Sequence, residues 1–250
     1  MTLQEFFTEN PRTALAFSGG VDSAYLLSQA VPYGKSVRAY YVKTSFQPQF
    51  ELEDAIRLAA ELRAELEILP ADVLACHAVA ANPRDRCYHC KKIIFGKILE
   101  AAAADSFPVL MDGTNASDDA ADRPGMRALR ELQVRSPLRE CGLTKEEIRR
   151  RSKEEKLFTW NKPAYVCLAT RTPAGERLTE EKLQRTEWAE GFLAEMGFRN
   201  FRIRSQENQA KIQLQESDFG NFMCHYREIA QVLRQKYQEV VLDLEERYEQ

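Results

Sequence analysis

Residues 13–30 constrain this chain more than any other stretch. Thr13–Phe17 is a short apolar run that predicts a buried strand, and Ser23–Ala30 predicts the beginning of a helix. Between them stands Ser18-Gly19-Gly20-Val21-Asp22-Ser23. Two adjacent glycines let the backbone turn tightly and bring its N–H groups close to an anion. The helix start adds N–H donors with no partner inside the helix, and the positive end of the dipole. Ser18 and Ser23 can donate further hydrogen bonds. Asp22 would repel a bare phosphate, so its expected task is to bind Mg²⁺ or to hold the loop. An ordinary strand–helix turn is the alternative for a bare Gly-Gly pair. The full Ser-Gly-Gly-Val-Asp-Ser run after a strand argues for the phosphate cradle.

Further strand and helix patterns follow in alternation. Val37–Val42, Glu65–Leu69 and Pro108–Met111 predict strands, and Val134 a further short one. Gln49–Glu61, Asp72–Ala80, Arg86–Ala103 and Gly125–Leu132 predict helices, and Thr144-Lys145-Glu146-Glu147 predicts a capping box opening another to about Glu155. Alternation of this kind implies an α/β fold: a parallel sheet with helices on both faces. The pattern changes near Trp160. Asn161–Gly175 reads as a long loop, followed by a helix over Thr179–Met196, strands over Phe201–Ser205 and Ala210–Leu214, a helix over Phe222–Lys236 and a strand over Val240–Leu244. The expected organisation is a nucleotide-binding domain over residues 1–160 and a small α+β domain over 161–250.

Composition narrows the function classes. The chain has 250 residues, 44% hydrophobic and 29% charged, as soluble proteins do. A net charge of −3 argues against a strongly basic nucleic-acid binder. No apolar run approaches the roughly 20 residues of a membrane span. Met1–Asn10 is polar and acidic, unlike a secretory signal. Six cysteines in an enzyme-sized chain read as reduced thiols or metal ligands, and the expected location is the cytoplasm.

Open parallel sheets bind ligands at the carboxyl ends of their strands. Asp112-Gly113-Thr114-Asn115 follows the fourth predicted strand and is expected to face the same crevice as Ser18–Ser23; Thr44, after the second strand, is assigned to the same nucleotide site. Asp118, Asp119 and Asp122 can hold Mg²⁺ or polar ligand groups, or form a solvated acidic turn. Arg86-Cys87-Tyr88-His89-Cys90-Lys91 places a C-x-x-C pair at a helix start, where thiolate is favoured. Such a pair suits a metal or an iron–sulfur cluster but needs a third ligand; two unrelated core thiols are the alternative. Cys167 lies in the long loop with Arg171 nearby. Cys76, Cys141 and Cys224 read as packing residues.

The loop Ser18–Ser23 resembles the PP-loop of the ATP pyrophosphatases, and no Gly-Lys-Ser/Thr follows it as in kinases. The resemblance becomes specific over Asn82–Lys92, Asp112–Asn115, Arg123–Ala128, Val134–Leu138, Gly142–Lys145 and Cys167–Arg171, which together are similar to the LarE family of ATP-dependent sulfur transferases. The resemblance implies a PP-loop fold, ATP and Mg²⁺ as cofactors, and activation of a carboxylate by AMP with release of pyrophosphate. It implies a pyridinium mononucleotide substrate, replacement of oxygen by sulfur on the way to a nickel-pincer cofactor, a sulfide or other sulfur donor, and a homo-oligomer. In one subgroup a cysteine at the position of Cys167 gives up its own sulfur. In the other, three cysteines hold a 4Fe-4S cluster, and Cys87, Cys90 and Cys167 match that set. The same resemblance gives Cys167, Asp22, Lys91 and Arg171 catalytic roles, with Arg86 helping to offset negative charge. It assigns Arg202 and Arg204 to substrate phosphate and Glu190 to the site lining, with solvated charge as the alternative. Here the residues after Arg171 are Thr172-Pro173-Ala174-Gly175, and the segment Arg202–Lys211 has no His-Gly, both departures from the family pattern. A transfer-RNA thiolase would share ATP activation and a three-cysteine cluster, but should carry zinc-finger pairs or a basic surface. A nucleotide sensor would bind ATP without releasing pyrophosphate.

Overall fold

Four parallel strands form the larger sheet, in the order β3-β2-β1-β4: β1 (Arg12–Ala16), β2 (Ser36–Lys43), β3 (Glu65–Pro70) and β4 (Val109–Met111). The computed structural model describes residues 1–118 and 124–245; Asp119, Asp122 and Arg123 lie outside the described residues. The helices in chain order are α1 (Leu3–Glu9), α2 (Val21–Tyr33), α3 (Gln49–Glu61), α4 (His77–Ala80), α5 (Arg86–Ala104), α6 (Pro124–Glu131), α7 (Pro137–Glu140), α8 (Lys145–Glu154), α9 (Glu180–Glu195) and α10 (Glu216–Leu233). The fold is α/β. Two compact units divide the chain, one over residues 1–73 and 85–165, the other over 74–84 and 166–250.

In the first unit, side chains alternate across the sheet as a period of two requires. Leu15, Ala39, Tyr41 and Met111 pack with α1, α2, α3 and α8 on one face; Ala14, Tyr40, Val42 and Leu110 pack with α5 and α6 on the other. Burial on both faces explains why these strands read as nearly continuous apolar runs.

In the second unit, β5 (Arg202–Gln206) and β6 (Gln209–Gln213) form an antiparallel hairpin, and β7 (Glu239–Leu242) runs parallel to β6 after the α10 crossover. Ile203, Ala210 and Ile212 pack against Leu193 of α9 and Phe222, Ile229 and Leu233 of α10.

Several expectations are corrected. The helix expected over Asp72–Ala80 is a single turn, His77–Ala80. Val134 enters no strand; one parallel bridge joins Met111 to Arg135. α10 begins at Glu216, six residues before the expected start. Helix α1 was not expected: Thr2 and Glu5 close a capping box, and Leu3, Phe6 and Phe7 are buried. Only half of the box at Thr144 forms, because the Glu147 carboxylate turns to Arg150 and Arg151. Cys224 is exposed rather than packed. Among the described residues no helix is long and apolar enough to cross a membrane.

Candidate active site

The loop between β1 and α2 turns at Gly19, where φ is +72°. A side chain there would be strained by the backbone alone, and its Cβ would come within 3.2 Å of the Ala55 Cβ on α3. Gly20 caps α2. The two serines lace the loop together. Ser18 Oγ and Ser23 Oγ are 3.1 Å apart, and Ser23 Oγ donates to the Gly20 carbonyl at 3.1 Å. The first N–H groups of α2, from Val21 to Ser23, have no acceptor one turn back inside the helix, which is the arrangement an anion uses.

The loop after β4 seats against this turn. A Cβ on Gly113 would stand 2.9 Å from the Ser23 nitrogen and 3.2 Å from its Cα, so only glycine fits this approach. Asp112 organises the loop: its carboxylate accepts hydrogen bonds from Thr114 N–H, Thr114 Oγ1 and Ser136 Oγ. Asn115, 2% exposed, donates from Nδ2 to Asp22 Oδ1 at 3.4 Å, and its backbone N–H donates to Asp118. Arg139 donates to the carbonyls of Asn115 and Asp118. The structure thus brings Ser18–Ser23, Gly113 and Asn115 into one crevice. The Thr114 hydroxyl serves Asp112, and the Thr44 hydroxyl serves Gln47 and the Phe46 N–H.

Asp22 is the charged centre of the crevice. Lys145 Nζ donates to its Oδ2 at 2.5 Å from the first turn of α8. Burial pushes the Asp22 carboxyl above its ordinary value, and Lys145 opposes that shift. Asp22 is thus tied to Asn115 and to Lys145 at once. Lys145, Ser136 and Arg139 were missed as site residues. Lys145 follows a good N-cap, which accounts for it locally, and its reach to Asp22 is a tertiary fact.

Cys87 and Cys90 sit in the first turns of α5, Cys87 exposed and Cys90 8% exposed. Arg86, itself buried, lies with its guanidinium 3.9 Å from Cys87 Sγ and over the Phe46 ring. Lys91 packs its stem where a side chain on Gly125 would stand.

In the second unit, half-buried Cys167 opens a 3-10 turn over Leu168–Arg171. Arg171 is 1% exposed and forks onto Glu190, with Nε to Oε1 at 2.6 Å and the second nitrogen to Oε2 at 3.2 Å. It also donates to the Val166 carbonyl at 3.0 Å, and Glu190 accepts from the Ile203 N–H. Arg204 donates to the Thr170 carbonyl at 2.5 Å and to Gln213. Asn82 reaches the carbonyl of Pro173 at 2.8 Å. These contacts tie the cysteine segment to α9 and β5. Arg202, half-buried, opens β5. Among the described residues no group of three His, Cys, Asp or Glu side chains is arranged to hold a metal ion.

No family model matches the chain. Three curated proteins are similar to it over most of their length. An uncharacterized protein of Synechocystis sp. is 37% identical over 223 residues, covering 88% of this chain and 83% of that protein. The pyridinium-3,5-bisthiocarboxylic acid mononucleotide synthase of Lactiplantibacillus plantarum is 30% identical, covering 97% of this chain and 89% of that protein. An uncharacterized protein of Methanocaldococcus jannaschii is 29% identical, covering 97% and 93%.

Proposed function

The chain belongs to the LarE family, and from that premise we propose that it is an ATP-dependent sulfur transferase acting on a carboxylate of a pyridinium mononucleotide, in the making of a nickel-pincer cofactor. The observation that carries the ATP half is the crevice of Ser18–Ser23 closed by Gly113, with Lys145 beside Asp22. The loop would take the β- and γ-phosphates on the first N–H groups of α2. Lys145 would turn from Asp22 to the leaving pyrophosphate, and the freed Asp22 carboxylate would be available to Mg²⁺. The substrate carboxylate oxygen attacks the α-phosphorus, the bond to pyrophosphate breaks, and a mixed anhydride with AMP forms. A sulfur nucleophile then attacks the carboxyl carbon, and AMP departs with the former carboxylate oxygen. We assign adenylylation to residues 1–160 and substrate phosphate and self-association to residues 161–250, with sulfur transfer drawing Cys87 and Cys90 from the first and Cys167 from the second.

We assign Cys87, Cys90 and Cys167 as the ligands of a 4Fe-4S cluster. The donor set fits in kind: two thiols one turn apart at a helix start, a third from the loop, and one iron left open. When bound, the cluster would supply the sulfide. The chain's own part is to hold three thiolates, with Arg86 and Lys91 offsetting negative charge; Arg171 fixes the loop that carries Cys167. Arg202 and Arg204 are assigned to the substrate phosphate, and the enzyme to the cytoplasm. Anaerobic purification tests this. Iron and sulfide bound to the chain, lost in C87S and C90S, with repeated turnover at unchanged mass when sulfide is supplied in solution, are expected. A colourless protein that loses the Cys167 sulfur once per chain would overturn the cluster and leave the sacrificial route.

A further inference from the structure

Glu51 and Asp54 lie in the first half of α3, the helix whose Ala55 backs onto Gly19 of the nucleotide loop. Glu51 is 8% exposed, and a carboxylate so placed is costly unless paired. Its counter-charge comes from the loop 111 positions on: Lys162 Nζ is 3.1 Å from Glu51 Oε1, an ionic contact, and donates to Asp54 Oδ2 at 2.6 Å. Lys162 Nζ also lies over the Phe50 ring, 5.6 Å from its centroid, and Phe50 meets Tyr165 edge to face at 5.1 Å. From α8, Arg149 donates to the carbonyls of Trp160 at 2.8 Å and Lys162 at 3.0 Å. Residues 160–165 are therefore gripped by α3 and α8, the helices that carry Ala55 and Lys145. Five residues after Lys162 comes Cys167, so the chain allows its Cα at most about 18 Å from that of Lys162.

We propose that Lys162 is a positioning residue: held between Glu51 and Asp54, it anchors the segment from which Cys167 is delivered to the adenylylated carboxylate. This rests on the sulfur-transfer reading. Pro163 adds to the hold by keeping Lys162 extended, at φ −60° and ψ 125°. Losing the anchor would widen the arc open to Cys167, and misplacement by about 1 Å can cost about a hundredfold in rate.

Two readouts on the full chain test it. The first is thiocarboxylate formed per pyrophosphate released. K162M should lower this ratio at least about tenfold while ATP-dependent pyrophosphate release stays within about twofold, and K162R should restore most of it. An unchanged ratio, or equal loss of both activities with lowered thermal stability, would overturn the proposal. The second readout needs no turnover: the distance distribution between spin labels on Cys167 and on Glu53→Cys, with the remaining cysteines replaced. K162M should broaden it and K162R should not. Equal widths in all three proteins would overturn the anchor. A wild-type enzyme that forms no thiocarboxylate would defeat the sulfur-transfer reading, while the label distances would still decide whether Lys162 anchors the segment.

Discussion

Lys145 and Asp22, 123 residues apart in the chain, meet at 2.5 Å beside the loop between β1 and α2. The pair joins the N-terminus of α8 to the N-terminus of α2, two positive helix ends facing one carboxylate. On the proposed reaction, Lys145 would assist the departure of pyrophosphate. K145M should lower pyrophosphate release by about a hundredfold, the size of effect seen when one charge-stabilising donor is removed. Steady-state release of pyrophosphate from ATP, with substrate saturating, checks this. K145M should also raise the Asp22 titration further, since Lys145, more than Arg149, opposes burial there.

Asp22 and Glu147 should make opposite contributions to the pH dependence of folding. Burial raises the native Asp22 value above the ordinary 3.8, so the native chain holds that proton more tightly than the unfolded chain. Stability should fall as pH rises from 3.8 through the raised native value, then level off. Glu147 is held at about 2 by Arg150 and Arg151, against an ordinary 4.5. Its contribution is present above 4.5 and lost as pH falls through about 2. Urea unfolding of nucleotide-free D22N and E147Q across acid to neutral pH should show each variant lacking its own part of the curve.

The contact of Gly113 with Ser23 predicts that G113A is destabilised by about 1–3 kcal/mol, because backbone cannot move aside as a side chain can. Its affinity for ATP should fall as well, since the same shift displaces the first turn of α2. Thermal unfolding with and without ATP measures both.

Arg171 is expected to act on the reacting charge, and its guanidinium forks onto buried Glu190. R171A leaves Glu190 buried without the fork, which should cost about 3–5 kcal/mol. R171K keeps the charge but not the two parallel bonds, so it should recover only part of the loss. Chemical unfolding of the three proteins decides: wild-type stability with lost sulfur transfer would instead make Arg171 catalytic.

How far the chain could be read in advance follows from which interactions are local. The strands around Leu15, Tyr41 and Leu110 were legible because both their faces are buried, and the loop because Gly19 needs positive φ. The meeting of Gly113 with Ser23 was legible only as far as strand order places both loops at the same sheet edge. Lys145 on Asp22, Ser136 on Asp112 and Lys162 on Glu51 were not legible. Each joins residues far apart, and each side chain has an ordinary local explanation as cap, turn or loop charge. Helix α1 was missed because its polar tail outweighed Leu3, Phe6 and Phe7, whose spacing is the signal that would have found it.

On the proposed reaction, a carboxylate oxygen passes to AMP before sulfur takes its place. Substrate labelled with ¹⁸O in the carboxylates, incubated with ATP, Mg²⁺ and the anaerobically purified enzyme, tests this by mass spectrometry of the nucleotide product. One ¹⁸O in AMP for each thiocarboxylate formed, with unlabelled pyrophosphate, is expected. Unlabelled AMP, or ADP with label in inorganic phosphate, would contradict it.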